Sequence, residues 1–142
     1  MYEYNVSITK VVDGDTVDVD IDLGFGMVYK KQRVRLMGID TPESRTRDLV
    51  EKLFGKASKK HLKELLSEGG ISLVSHDKGK FGRILGELYV NGVSINQKMI
   101  DDYHAVEYTG ENKSLIEEGH LKHRVLLVEQ GVVTQEQIDE VS

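Results

Sequence analysis

Apolar and charged residues alternate strictly over Val17-Asp18-Val19-Asp20-Ile21-Asp22, a period of two that predicts a strand with one face in a core and the other in water. Val6 to Val12 and Val28 to Ile39 are apolar-rich and strand-like, and Gly24 and Gly26 mark a turn ahead of the latter. The period then changes. Leu49, Val50, Leu53, Phe54, Ala57, Leu62, Leu65 and Leu66 fall on one face of a helix over residues 48–66. Asp48 and Glu51 have capping-box spacing, with Asp in the Ser/Thr place, and Gly69-Gly70 ends the helix. Ile71 to Ser75 and Ile84 to Val90 read as strands, and Asn91-Gly92 as a hairpin turn. Residues 94–103 and 112–130 read as helices, the second weakened by Gly119. Few apolar residues follow Thr134, so a frayed tail is expected there. Three strands, a helix, two strands and two helices predict an α+β, mainly β, chain: a five-stranded OB-type barrel with about three packed helices.

The chain has 142 residues, enough for one domain with a buried core. No repeat, linker or low-complexity run divides it, so residues 1–142 are expected to form a single domain. It has no cysteine, which excludes disulfides and thiolate metal sites. The start, Met1-Tyr2-Glu3-Tyr4-Asn5, has neither the basic nor the apolar region of a signal peptide. No apolar run approaches the ~18 residues of a membrane span. The expectation is a soluble, cytoplasmic monomer away from membranes; a leader removed beforehand would leave the same sequence.

Charge changes the picture. The total of 19 Lys and Arg against 24 Asp and Glu argues against a polyanionic partner at long range. The distribution answers part of this. Residues 30–63 hold 11 basic against 4 acidic residues, and residues 100–142 hold 3 against 10. The positive segment flanks the most chemically loaded stretch of the chain, Arg35-Leu36-Met37-Gly38-Ile39-Asp40-Thr41-Pro42-Glu43, which contains the one proline. Proline fixes its own φ and pushes Thr41 toward an extended conformation. Asp40, the Thr41 carbonyl and Glu43 are thereby held in a fixed relation at a strand end. Hard oxygen donors beside a guanidinium suit a divalent cation and a phosphate.

Other charged groups have plainer readings. Asp13-Gly14 is first a turn dipeptide, though such a turn can also aim Asp15 toward Asp40. Asp18, Asp20 and Asp22 fail as an EF-hand loop, because Leu23 and Tyr29 take the sixth and twelfth positions, and read as the wet face of a strand. His120 and His123 share a helix face but lack a third ligand for a transition metal, and His61, His76 and His104 have no evident partner. Arg45, Arg47, Lys59, Lys60 and Lys63 read as solubility residues; Lys30, Lys31 and Arg33 lie closer to the motif strand. No GxxxxGK[ST] loop is present, so any phosphate chemistry is not of the P-loop kind.

Asp13-Gly14-Asp15-Thr16, then Arg35 through Asp40-Thr41-Pro42-Glu43, then Lys80-Phe81-Gly82-Arg83 come in the order, and nearly the spacing, of the motifs of staphylococcal nuclease. Over roughly residues 6–110 the chain resembles that thermonuclease-like family. The resemblance implies a calcium-dependent phosphodiesterase that cuts DNA and RNA at the 5′ P–O bond and leaves 3′-phosphate ends. It implies Asp15, Asp40 and the Thr41 carbonyl as metal ligands, with Asp13 reached through water. An all-oxygen set favours calcium or magnesium over zinc, and the resemblance puts calcium first. Arg35 and Arg83 would bind phosphate oxygens in the bidentate manner open to arginine, and Glu43 would orient or deprotonate the attacking water. Substrate contacts are expected at Lys80, Phe81 and Tyr108. The sequence departs from the family where its segment before Arg83 is shorter, where Phe81 replaces a tyrosine, and where Gly110 replaces a second stacking tyrosine. A single-stranded substrate is expected to be preferred. Two alternatives stay open: a non-catalytic OB-type module that binds single strands, and a protein-interaction domain using the acidic C-terminal region.

Overall fold

A computed structural model describes residues 2–78, 82–110 and 112–142 of the chain. Three long antiparallel strands open it: β1 (Tyr2–Asp13), β2 (Thr16–Gly24) and β3 (Met27–Leu36). The alternation in β2 is realised, with Val17, Val19 and Ile21 buried and the aspartates between them outward. Those aspartates are engaged: Asp18 takes two hydrogen bonds from Arg33, and Asp20 accepts from the Lys31 backbone. Beyond Leu36 the strand-like run breaks at Met37-Gly38 and resumes as β4 (Ile39–Asp40).

Helix α1 (Leu49–Leu65) follows, with the Asp48 carboxylate accepting from the backbone of Val50 and Glu51. Half of the expected capping box forms. The Glu51 carboxylate turns to the backbone N–H of Glu43 and so ties the helix start to the motif loop. Strands β5 (Ile71–Lys78) and β6 (Ile84–Val90) come next, and Asn91-Gly92 turns the chain into the short β7 (Val93–Ser94). In spatial order the strands run β3-β2-β1-β5-β6, and parallel pairing of β3 with β6 closes the barrel. The five-stranded OB-type barrel is therefore present.

Helix α2 (Ile95–Asp101) is pinned to the closure. Buried Asn96 accepts from the Leu88 backbone and donates to the carbonyls of Met37 and Gly86. Strand β8 (Val106–Glu107) pairs with β4, and helix α3 (Lys113–Glu129) packs on it. Four helices stand among the described residues, where about three are expected. Past Thr134, where a frayed tail is expected, the chain forms α4 (Gln135–Val141), capped reciprocally by Thr134 and Gln137. Ile138 packs on a second core of Phe54, Leu127 and Val133, separate from the barrel interior of Val17, Val34, Leu36, Leu73 and Leu88. No described helix is long and apolar enough to cross a membrane.

Candidate active site

The end of β3, β4 and the loop after it form one wall of an open groove of about 1470 Å³, and the β1–β2 turn reaches that wall from behind through Asp15, which contacts Arg35 and Thr41. Val34 and Leu36 point into the barrel, so the side chain between them, Arg35, turns outward. Its Nη1 stands 3.4 Å from Asp15 Oδ2, and its Nη2 stands 3.8 Å from Asp40 Oδ1. The Thr41 backbone N–H donates to Asp15 Oδ2 at 3.3 Å, and the Thr16 hydroxyl donates to Asp15 Oδ1 at 3.0 Å. Residues from three separate elements thus meet around one guanidinium.

Burial pushes the Asp15 carboxyl above its ordinary 3.8, while Arg35 and the two hydrogen bonds pull the other way. Two carboxylates around one arginine leave negative charge undercompensated in a partly dry place. The groove lining has the same imbalance: Arg35, Arg83, Lys113 and Arg124 face Asp40, Glu43, Asp48, Glu51 and Glu117. The Thr41 hydroxyl is buried with no hydrogen-bond partner among the described residues. A hard cation between Asp15 and Asp40 would answer the charge excess, and the all-oxygen donors fit one. Among the described residues no three His, Cys, Asp or Glu side chains surround a common point. Two carboxylates, the Thr41 carbonyl and water would have to complete such a site.

Glu43 and Arg83 line the same groove, and so do Tyr108 and Gly110. The Tyr108 backbone donates to the Gly38 carbonyl and ties the groove's far strand to the motif. Asp13 faces Ser44, accepting from both its backbone and its hydroxyl, and so anchors the loop that carries Glu43. The same loop lies on α1 where Gly55 has no side chain; a Cβ there would stand 2.6 Å from the Ser44 nitrogen. Lys80 and Phe81 lie outside the described residues. Lys30, Lys31, Arg33, Arg45 and Arg47 are not part of the groove lining.

His120 and Arg124 join the groove from α3, outside the motifs. His120 Nε2 is 2.8 Å from Asp40 Oδ2, whereas His123 packs against the Tyr103 ring, so the two histidines do not form a metal pair. Arg124 lies over the Phe54 ring, 5.1 Å from its centroid, and its buried Nε has no hydrogen-bond partner among the described residues. The spacing of His120 and His123 was visible in the sequence, but the partner of His120 is 80 residues away. The other histidines also have partners: His61 with Asp102, His76 with Glu87, and His104 with Ser58 and the His61 ring.

Comparison with known proteins bears on this geometry. Residues 33–136 match the family described as Staphylococcal nuclease homologue. The chain is 33% identical over 104 residues to "Endonuclease YncB" of Bacillus subtilis (strain 168), an overlap covering 69% of this chain and 45% of that protein. It is 33% identical over 102 residues to the "SPbeta prophage-derived endonuclease YokF" of the same organism, covering 69% and 32%. It is 31% identical over 86 residues to the "Probable staphylococcal-like nuclease CAN1" of Oryza sativa subsp. japonica, covering 61% and 24%. The chain therefore spans less than half the length of these relatives. The family match begins after Asp15, so the place of Asp15 rests on its contacts with Arg35 and Thr41. With the match running from β3 through α3, and the barrel closing as the order of elements predicts, the chain belongs to the staphylococcal nuclease homologue family.

Proposed function

We propose that this groove hydrolyses phosphodiester bonds in nucleic acid with the help of a divalent cation, calcium before magnesium. The observation that carries the reading is Arg35 between the Asp15 and Asp40 carboxylates, on a groove that also holds Glu43 and Arg83. Asp15, Asp40 and the Thr41 carbonyl would hold the cation. When bound, it neutralises a non-bridging phosphate oxygen and helps to position water.

The chain's own residues supply the rest. Arg35 and Arg83 present planar forks to the remaining non-bridging oxygens, where charge gathers in the transition state. The Glu43 carboxylate orients a water molecule and takes its proton as the water oxygen bonds to phosphorus. The bond from phosphorus to the 5′ oxygen breaks, that oxygen takes a proton from solvent, and the phosphate stays on the 3′ end. Tyr108 offers a ring to a neighbouring base, and Lys80 and Phe81 contribute to substrate grip. Pinned Asp13 steadies the Glu43 loop, and any water-borne contact from it to the cation is secondary. DNA and RNA both qualify as substrates. A single strand is preferred, because an open groove takes an extended chain and no described element is shaped to part a duplex.

The test is incubation with single-stranded DNA, duplex DNA and RNA in calcium, magnesium or chelator, followed by end-group analysis. The expected result is calcium-dependent cleavage leaving 3′-phosphates, faster on single strands and weakened by salt. Tight binding without cleavage in either metal would instead make the chain a binding module.

A further inference from the structure

Asp40 is gripped from two sides. Arg35 Nη2 approaches Oδ1, and His120 Nε2 lies 2.8 Å from Oδ2. An ionised carboxylate can only accept, so the Nε2–H of His120 is the donor. The His120 side chain is only 15% exposed, and it reaches Asp40 from a helix anchored to the same strand pair. Gly119 lies against Val106, where a Cβ would come 3.0 Å from Val106 Cγ1. Val106 is in turn the register partner of Asp40 in the β4–β8 ladder. The residue beside His120 thus packs on the residue opposite Asp40, which fixes the imidazole relative to the carboxylate.

The division of the two oxygens gives the contact its meaning. Asp40 Oδ1 and Asp15 Oδ2 are the carboxylate oxygens that meet around Arg35, where a cation would lie. His120 takes the other oxygen. With Oδ2 occupied, rotation of the carboxylate is restrained and Oδ1 stays turned toward Asp15. A direct ligand role for His120 is disfavoured, because Nε2 is already committed and a hard cation prefers oxygen.

We propose that His120 is a positioning residue of the cation site, presetting Asp40 by a hydrogen bond to Oδ2. This rests on the reading of Asp40 as a cation ligand. Removing a hydrogen-bonded partner of a metal ligand typically costs roughly 10–100-fold in metal affinity.

The experiment titrates calcium chloride into the full chain and follows the backbone amide shifts of Gly38, Ile39, Asp40 and Thr41 by NMR, a readout that needs no turnover. The proteins are the wild type, His120→Ala, His120→Asn, His120→Gln and Asp40→Asn, each with its metal-free melting temperature recorded. His120→Gln keeps an N–H donor at similar reach and is expected to bind calcium nearly as the wild type does. His120→Ala and the shorter His120→Asn are expected to bind at least about tenfold more weakly, even where their melting temperatures match the wild type. If His120→Ala fails to fold, the contrast between Asn and Gln carries the test. Calcium affinity unchanged or raised in the Ala and Asn variants overturns the proposal, as does a fall in melting temperature with no change in affinity. Asp40→Asn separates this from failure of the site itself. If that variant binds calcium as the wild type does, the cation site is misplaced and the role of His120 falls with it. If Asp40→Asn loses binding while His120→Ala keeps it, only the role of His120 falls.

Discussion

Arg35 Nη1 lies 3.4 Å from Asp15 Oδ2, and this pair is the hinge of the site. Asp15 holds the arginine although its own burial disfavours the charge it needs to do so. A group held above its unfolded value favours the folded state most at low pH, and that support is lost as pH rises through the folded value. Ionised Asp15 is thus a cost in the metal-free protein at neutral pH. Asp15→Asn is expected to leave the metal-free melting temperature equal or higher at pH 7 and to abolish calcium-dependent cleavage. A clear loss of metal-free stability, with calcium response intact, would place Asp15 in the scaffold and outside the site.

The Glu43 loop depends on α1 coming close. Gly55 leaves room for the Glu43–Ser44 peptide, and Asp13 holds Ser44 from the opposite side in sequence. Gly55→Ala forces either helix or loop to move, at a cost of about 1–3 kcal/mol typical of overpacking. Urea unfolding should show the loss, and turnover should fall while the affinity for single-stranded DNA changes little. An alanine variant with wild-type turnover would show that Glu43 does not need this placement.

A second pH dependence lies away from the groove. His104 is buried, with its ring stacked on His61 at 4.3 Å between centroids and its carbonyl accepting from Ser58. Burial pushes the His104 imidazole down to about 4, His61 and His123 act in the same direction, and Asp102 opposes them. The unfolded chain takes up this proton near 6.5, whereas the folded chain waits until about 4. Stability is therefore full above pH 6.5, falls between 6.5 and about 4, and levels off below, with a total loss of at most about 3 kcal/mol. Burial pushes the Asp102 carboxyl up, but His61 and Lys98 outweigh it and hold it below 3.8, so its loss comes at lower pH. Urea midpoints at pH 7, 5.5 and 4.5 check this. His104→Gln should flatten the curve across that range, and an unflattened curve would assign the effect elsewhere.

The sequence carried what depends on local period and local motif. Val17, Val19 and Ile21 against Asp18 and Asp20 announce β2, and Asp40-Thr41-Pro42-Glu43 announces a stretch that lines the groove, because a strand face and a proline-fixed loop are set by adjacent residues. It did not carry what the fold brings from afar. The Asp40–His120 contact depends on α3 packing against a two-residue strand, β8, too short to leave a period. The resemblance assigns Asp13 a contact with the cation through water, whereas its contact with Ser44 depends on a loop 31 residues on. The α4 helix was hidden because its hold comes from a cap at Thr134 and a single apolar anchor, Ile138, rather than an apolar stripe.

The two groove arginines are proposed to act on the transition state of phosphodiester hydrolysis. Single-turnover cleavage of single-stranded DNA in calcium, with anisotropy binding on the same samples, tests it in the wild type, Arg35→Lys and Arg83→Lys. Lysine keeps the charge and loses the fork. By analogy with the loss of one oxyanion donor, each variant is expected to cleave roughly 10²–10³-fold more slowly, with a much smaller change in binding, the pattern of an interaction made in the transition state. Cleavage at the wild-type rate in both variants would contradict this role, as would a wild type that binds but does not cleave in calcium and loses affinity in each variant.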